Sequence, residues 1–494
     1  MSQEQVKSIT KKSQDFSQWY NDVVLKAELA DYGPVRGTMV IRPYGYAIWE
    51  AIQAYLDRKI KEMDVPNAYF PLFIPESFLK KEKEHVEGFS PELAVVTIGG
   101  GEKLAEPVVV RPTSETVMYS LFSKWISSWR DLPYKVNQWA NIVRWEKRPY
   151  LFLRTTEFLW QEGHTAHATH EEAVEQVLAA LERYQQVYRD LLGIAGVMGV
   201  KSQKEKFAGA VNTYTYEMLM PDGKALQGCT SHDLGQNFSQ PFKITFQSKE
   251  GKDEFVWQTS WGMSTRSIGG LIMEHGDDRG LILPPKVAPI QIVIVPILAG
   301  DNAEKVEKYA EEINQELKDD FRVHMDNRDS QTPGWKFNEW ELKGVPIRLE
   351  IGPREMEANE VSIVRRDTGE KFKDQRSKLK ITLKRTIETI QSDLLLRSET
   401  FLKENTHTAD DYEEFKKIMS TSRGLISAFW CENVDCEEKI KAETKASIRC
   451  RPFGLAQGKP LDAKEESGLS ADKAGKCVLC GKEAKYRWLF GQAY

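Results

Sequence analysis

The sequence predicts an α+β protein: a mixed helix and strand domain around an antiparallel sheet over about the first 280 residues, a compact α/β domain, and a small cysteine-bearing C-terminal region. Three observations carry this reading. Strand-like runs at Tyr214–Leu219, Ile244–Phe246 and Glu254–Thr259 are joined by turns rich in Pro, Asp and Gly. After Leu281-Ile282-Leu283-Pro284-Pro285 the rhythm changes to strand, helix, strand, helix, strand. Cysteine is also uneven, with Cys229 alone and Cys431, Cys436, Cys450, Cys477 and Cys480 crowded near the end. The domains expected are 1–286, 287–390 and 391–494.

Taken in order, Tyr46 to Met63 places Ile48, Ile52, Tyr55, Leu56 and Ile60 on one helical face, which predicts a buried helix. Asn67 to Pro75 reads as a β-type run whose two prolines suit a sheet edge or boundary. Val95–Ile98 and Val108–Arg111 flank Gly99-Gly100-Gly101, a loop free enough in φ to be a flap or an ordinary connection. Asn141-Ile142-Val143-Arg144-Trp145-Glu146, then Arg154 and Trp160-Gln161-Glu162-Gly163-His164, reads as a hairpin. Arginines at the two ends of its turn suit phosphate oxygens, because guanidinium forks match them and stay charged. Glu146, two residues from Arg144, shares its face of the strand, because side chains in a strand repeat every second residue. An amphipathic edge hairpin with surface ion pairs explains this segment equally well.

Thr169 and Glu172 form a capping box for a helix whose apolar stripe runs from Val174 to Leu191 and stops at Gly193. In the second domain the expected strands are Ile290–Leu298, Phe321–Met325, Ile347–Ile351 and Val361–Arg365, with helices at Ala303–Lys318 and Gly334–Lys343. From Arg365 to Arg385 nine Lys or Arg face three Asp or Glu, either a solvated helix or a surface for a polyanion. Cys431-x4-Cys436 and Cys477-x2-Cys480 have knuckle spacings that suit tetrahedral zinc, with free buried cysteines as the alternative and Cys450 a candidate for one.

A net charge of -5 does not advertise a nucleic-acid partner, though it leaves room for a local basic face. Met1 to Lys12 lacks an apolar signal core, and the run Ile290–Ala299 is about half of the ~18 residues a membrane span needs. The expectation is a cytoplasmic protein with no membrane partner. Phosphate loops of the Gly-x4-Gly-Lys-Ser/Thr type and dinucleotide fingerprints are missing, so any bound ATP has to be held by arginines on the sheet.

Three further polar clusters interrupt the first domain: Arg111-Pro112-Thr113-Ser114-Glu115, Gln227-Gly228-Cys229-Thr230-Ser231-His232 and Trp261-Gly262-Met263-Ser264-Thr265-Arg266. Each is weak alone, since Thr-Ser-Glu caps helices and His232 suits a core. In this order they resemble the archaeal/eukaryotic-type prolyl-tRNA synthetases, class II aminoacyl-tRNA synthetases, over nearly the whole chain. Pro71–Leu79 resembles the first class signature and Arg144–Glu162 the second. Ser264 through Pro285, with Gly276-Asp277-Asp278-Arg279-Gly280, resembles the third in its prolyl-specific form.

The resemblance implies a catalytic domain on an antiparallel sheet, a homodimer across the first signature, an α/β anticodon-binding domain and a small C-terminal domain. In that last domain Cys431, Cys436, Cys477 and Cys480 would hold a structural Zn2+. It implies ATP-dependent attachment of L-proline to tRNA(Pro) through prolyl-adenylate, with Mg2+ accompanying ATP. By analogy Arg144 and Arg266 are the catalytic cations. ATP falls to Arg144, Glu146, Arg154, Thr155, Phe158, Gln227, Thr230, Ser264 and Arg266. Proline falls to Thr113, Glu115, Arg144, Trp160, Glu162 and His232. The tRNA backbone is assigned to Arg365–Arg385, and the anticodon bases to Phe337, Glu341, Arg348 and Arg354.

The segment between Arg154 and Gly262 is too short for the editing domain that bacterial-type relatives insert there, so cis-editing is not expected. The chain ends in Tyr494, which similar enzymes direct toward the active site. Because missing methylenes are worth only about 1–3 kcal/mol, alanine and cysteine are expected to leak through activation. Rival readings are a threonine-specific relative, a non-catalytic RNA-binding regulator and a zinc-binding scaffold. Lack of pocket cysteines beyond Cys229 opposes the first, the retained arginines oppose the second, and the third explains only the C-terminal region.

Overall fold

A computed structural model describes residues 8–79, 93–146, 148–298, 300–453 and 474–494. The backbone of the molecule is a ten-stranded sheet. Its order is Thr406–Thr408, Leu425–Trp430, Tyr486–Gly491, Ser447–Pro452, Val197–Val200, Asn212–Leu219, Ala225–Gly235, Trp257–Ser264, Glu157–His167 and Tyr134–Val143. Every neighbouring pair is antiparallel except Thr406–Thr408 against Leu425–Trp430. The last six strands in that order belong to the first domain and the first four to the C-terminal region. The two halves meet where Arg451 pairs with Val200 and Pro452 with Gly199.

The expected stripes are the ones that go inside. The first becomes a helix over Pro43–Lys61, with Pro43 in its first turn, and Ile48, Ile52, Leu56 and Ile60 are fully buried. Burying each such side chain contributes about 1.5–3 kcal/mol. The second becomes His170–Gln186, whose Thr169 cap accepts the Glu172 N–H at 3.2 Å. It packs across Asn212–Leu219, Ala225–Gly235 and Trp257–Ser264 through Val177, Leu181 and Tyr184. A π-turn over Val187–Leu191 finishes it before Gly193 at φ 64°.

Phe73–Pro75 is an edge strand in a three-stranded sheet with Glu102–Val110 and Val95–Gly99, as its prolines require. The expected strand Glu254–Thr259 is divided: Asp253–Phe255 pairs in a small hairpin with Thr245–Gln247, and Trp257–Ser264 joins the main sheet. Val256, fully buried between them, is where the chain changes sheets.

The α/β domain carries a five-stranded sheet ordered Val323–Met325, Ile292–Pro296, Ile347–Ile351, Glu360–Arg365 and Lys371–Gln375. The first three are parallel and the last two run antiparallel. Helices Ala303–Leu317 and Pro333–Leu342 match the expected ones to within a residue or two. A 26-residue helix, Leu379–Glu404, leaves this domain and crosses position 391 without a break. It docks on the first domain through Gln391, which donates to the carbonyls of Asp190 and Leu191, and Ser398, which accepts the Ala195 N–H at 2.9 Å.

Candidate active site

One cleft of about 450 Å3 on the main sheet gathers most of the expected residues. Adjacent strands supply them. Glu157–His167 presents Phe158, Trp160, Glu162 and His164 on one face, because side chains repeat every second residue. Ala225–Gly235 adds Thr230 and His232, and Gln227 comes from beside the irregularity between Gln227 and Cys229. Ser264, Arg266, Thr113 and Glu115 complete its lining. Gly163 sits opposite Trp261 in the ladder, and a Cβ there would lie 2.3 Å from the indole, so only glycine admits this floor.

The two carboxylates differ. Glu162 is sealed, accepting hydrogen bonds from Ser114 Oγ (2.5 Å) and Gln138 Nε2 (2.8 Å), with His164 Nε2 3.2 Å away. Burial lowers the His164 pKa, but the Glu162 hydrogen bond and the charges of Glu115 and Glu162 outweigh it, leaving it above 6.5. Glu115 is also buried, and Thr113 Oγ1 donates to it. With fewer partners, Glu115 is the carboxylate with acceptor capacity to spare. His232 is held neutral, its pKa pushed down to about 3 by burial and then by His164. Its Nδ1 lies 3.0 Å from Thr213 Oγ1, and its ring packs on Phe207 at 4.6 Å. The Trp160 Nε1 and Ser260 Oγ atoms are buried without a hydrogen-bond partner, polar groups in the cleft wall that a ligand can satisfy.

Arg144 stands at the mouth, donating from Nε to the Pro112 carbonyl at 3.0 Å, with the Phe158 and Trp160 rings 5.8 and 5.6 Å from its guanidinium. Surrounding protein lowers its pKa by desolvation, and Glu115 and Glu162 push it back up. Arg266 is lowered by desolvation too, with the charges of Arg144 and Arg154 among the further causes. Its Nε donates to the Leu153 carbonyl at 3.2 Å. Arg266 therefore feels the charges of both other arginines.

Three expected ATP residues do not line this cleft. Arg154 faces a neighbouring cavity that shares Arg266 and Gln227 with it, and lies 3.7 Å from Glu146. Glu146 is not on a strand face beside Arg144: the ladder ends at Arg144, whose N–H reaches the Thr156 carbonyl at 2.8 Å, and the chain then turns away. Thr155 is buried and its hydroxyl donates to the Glu157 carbonyl at 2.8 Å. Conversely, Glu205, Lys206, Phe207 and Ala208, a connection before Asn212–Leu219, line the cleft and carry no sequence signal. His164 lines it as well, and strand periodicity from Trp160 and Glu162 identifies it. Tyr494 lines the neighbouring cavity, and its N–H reaches the Ala225 carbonyl at 3.3 Å.

In the α/β domain Phe337, Glu341 and Arg348 form one cluster. The Arg348 guanidinium lies 4.3 Å from the Phe337 ring and 3.1 Å from Glu341, and Glu350 takes its other side at 2.9 Å. Arg354 is exposed on the short helix Pro353–Ala358, outside that cluster. The basic run Arg365–Arg385 is neither bare nor wholly helical. Arg365 pairs with Asp367 and Asp393, Arg366 with Asp277, Lys371 with Glu350, Lys373 with Glu355, Arg376 with Glu312 and Glu316, and Lys380 and Lys384 with Asp320. Acids distant in sequence neutralise most of the charge counted there. Lys371–Gln375 is an edge strand.

The Sγ atoms of Cys431, Cys436, Cys477 and Cys480 lie within 4.8 Å of one another. Cys431 is 3.7 Å from Cys436 and 3.6 Å from Cys480, close to the ~3.8 Å edge of a tetrahedron with 2.3 Å zinc–sulfur bonds. Cys477 and Cys480 sit in a tight knuckle, with the Gly481 N–H on the Cys477 carbonyl and Gly481 at φ 69°. The donor set fits zinc, which would tie strand Leu425–Trp430 and helix Val434–Thr444 to that knuckle. Cys450 lies apart, buried in Ser447–Pro452.

Comparison with known proteins finds three family models in series. The tRNA synthetase class II core domain (G, H, P, S and T) matches residues 101–275, the anticodon binding domain 291–392, and the prolyl-tRNA synthetase C-terminal domain 412–494. A proline–tRNA ligase of Natranaerobius thermophilus is 54% identical over 97% of this chain and 96% of its own length. Proline–tRNA ligase 2 of Bacillus cereus is 51% identical over the whole of both chains. The crystal structure of prolyl-tRNA synthetase from Cryptosporidium parvum, complexed with halofuginone and AMPPNP, superposes with a TM-score of 0.90 at 44% identity. That match covers 99% of this chain and 100% of the other.

Proposed function

The chain belongs to the proline–tRNA ligases, class II aminoacyl-tRNA synthetases, and from that premise we propose that its cleft joins proline to ATP and then to tRNA(Pro) in two steps. In the first step a proline carboxylate oxygen attacks the α-phosphate. The bond to the bridging oxygen breaks, and pyrophosphate leaves. In the second step a terminal ribose hydroxyl of tRNA attacks the prolyl carbonyl, AMP departs with the bonding pair, and the hydroxyl proton goes to solvent or phosphate. No covalent enzyme intermediate is needed, so the protein's part is positioning and charge stabilisation.

The observation that carries this reading is the meeting of Thr113, Glu115, Arg144, Trp160, Gln227 and Arg266 in one cleft. Arg144, between the carboxylate end and the phosphate end, neutralises both the attacking carboxylate and the α-phosphate. Arg266, with Arg154 beside it, takes the outer phosphates, and Phe158 the adenine face. Gln227, Thr230 and Ser264 complete the nucleotide side. Glu115 receives the secondary ammonium, Trp160 walls the ring, and Glu162 acts from beneath by fixing Ser114, Gln138 and His164. His232, kept neutral, lines the slot without adding charge. Class II synthetases use ATP with Mg2+, which would supply charge neutralisation between the phosphates.

Glu146 and Thr155 support the nucleotide side indirectly, through Arg154 and through the Glu157 carbonyl. Phe337, Glu341 and Arg348 are the candidate anticodon readers, an aromatic face beside a carboxylate and a guanidinium. The domain limits are read as 1–286, 287–390 and 391–494. Between Arg154 and Gly262 the elements build the main sheet, its covering helix and one hairpin, which supports the absence of an editing insertion. A homodimer across the first signature is supported by exposed Tyr69, Phe73, Val95 and Ile98 around the edge sheet. No described helix is long and apolar enough to cross a membrane.

The test is ATP–pyrophosphate exchange across the twenty amino acids, then charging of purified tRNA(Pro). Proline is expected to dominate, with weaker exchange for alanine and cysteine. Equal exchange with threonine, or none with proline, overturns the reading.

A further inference from the structure

The connection 201–211, between strands Val197–Val200 and Asn212–Leu219, forms no strand or helix, yet Phe207 and Ala208 on it line the cleft. The Phe207 ring lies 4.6 Å from that of His232, and the Phe207 N–H donates to Thr213 Oγ1 at 2.9 Å. Backbone outside a sheet or helix takes its position from the contacts that tie it down. Ahead of Phe207 those ties run to the C-terminal region.

Ser202 makes the firmest of them. Its buried hydroxyl donates to the two carboxylate oxygens of buried Glu437, at 3.2 and 3.3 Å, and accepts the Glu205 N–H at 3.2 Å. The Ser202 carbonyl accepts the Lys206 N–H at 2.9 Å, so a single turn closes over this serine and delivers the chain to Phe207. Lys204 pairs with Glu438, and Glu205 with Lys441 at 3.3 Å; both pairs are partly exposed and contribute less than the buried bond. Glu437 and Glu438 each neighbour Lys441 on the surface of helix Val434–Thr444, and Cys436 lies in the first turn of that helix. A zinc ion would fix Cys436 against Cys431, Cys477 and Cys480, and with it the turn from which Glu437 projects.

We infer that Glu437, with Glu438 and Lys441 beside it, is a positioning residue for the amino-acid slot. Through Ser202, Lys204 and Glu205 it holds Phe207 over His232, so that filling the cysteine site sets the affinity for proline. The inference rests on the reading of the cleft as the proline site.

The experiment uses the full-length, zinc-loaded protein and the variants Glu437→Ala, Glu437→Gln and Ser202→Ala. Pyrophosphate exchange is measured with proline and ATP varied in turn, and bound zinc by elemental analysis. Glu437→Ala and Ser202→Ala are each expected to raise KM for proline about tenfold, the scale of one hydrogen bond to a charged group, with KM for ATP and zinc content unchanged. Glu437→Gln still accepts from Ser202 and should stay near wild type. Combining Glu437→Ala with Ser202→Ala should cost no more than Ser202→Ala alone, because both break one contact. Hydrogen exchange of the wild type, with and without a chelator, reads the metal's part. Removing zinc should strip protection from the amides of Glu205, Lys206 and Phe207 while strand Asn212–Leu219 keeps its own. If Glu437→Ala folds poorly, Ser202→Ala breaks the same bond from the other side. Unchanged KM for proline in Ser202→Ala overturns the inference. So does an equal rise in KM for ATP, or protection at 205–207 that is indifferent to zinc. Wild-type exchange that prefers another amino acid overturns the reading of the cleft instead, and the protection at 205–207 still tests the link to the cysteine site.

Discussion

Arg449 reaches across a domain boundary to Glu217, its Nη2 2.7 Å and its Nε 3.0 Å from one carboxylate oxygen, while Lys201 holds the other at 2.6 Å. All three side chains are buried. The pair lies on neighbouring parts of the sheet that joins the C-terminal region to the first domain, directly behind the cavity that Arg449 also lines.

Arg449→Met is therefore expected to destabilise the protein by about 3 kcal/mol, since removing one partner leaves a buried charge only partly compensated. Burial raises the Glu217 pKa, but Arg449 and Lys201 outweigh it and hold it below the usual 4.5. That stabilisation is complete above about pH 4.5 and is lost as pH falls through the lowered value. In Arg449→Met the acid limb should begin at higher pH. Calorimetry between pH 3 and 7 checks this, and an unchanged acid limb contradicts it.

Glu115→Gln and Glu162→Gln separate recognition from support. The first should raise KM for proline by a factor of about 10–100, with KM for ATP unchanged, because a hydrogen bond to a charged group is worth about 1.5–3 kcal/mol. The second should lower kcat and thermal stability together, since Ser114, Gln138 and His164 all rest on Glu162. Steady-state kinetics with each substrate varied distinguishes them.

Cys477→Ser should reduce bound zinc from about one per chain to a small fraction and destabilise the C-terminal region, because metal-binding free energy is folding free energy in such sites. Elemental analysis and hydrogen exchange over residues 425–450 read this out. Full protection without metal contradicts it.

Arg348→Ala should raise KM for tRNA(Pro) while pyrophosphate exchange survives. The ion pairs along Arg365–Arg385 make single substitutions there matter less for tRNA and more for the local fold. Nitrocellulose binding of tRNA across both variant sets compares them.

What the sequence made legible was whatever repeats along a helix or strand. The stripes of Pro43–Lys61 and His170–Gln186 and the alternation of Trp160 and Glu162 are local, and local period determines which face is buried. The cysteine quartet was legible for the same reason, as two short spacings. Lys371–Gln375 was hidden because its charges belong to a strand edge paired with distant acids such as Glu350 and Glu355. The pairing of Arg451 with Val200, which fuses two domains into one sheet, joins residues some 250 positions apart and leaves no periodic trace. Glu205 to Ala208 reach the cleft only because the connection folds back over it. The separate fates of Glu146 and Arg144 turned on where the hairpin ladder stops, and nothing in the residue types marks that point.

The most direct test supplies proline and α-labelled ATP without tRNA, then quenches and separates the products. The account predicts labelled prolyl-AMP at about one per active site in the wild type, and at least a hundredfold slower formation in Arg144→Ala, the scale of losing a charge-stabilising donor of about 3 kcal/mol. No prolyl-AMP in the wild type, or its formation at the wild-type rate without Arg144, would contradict it.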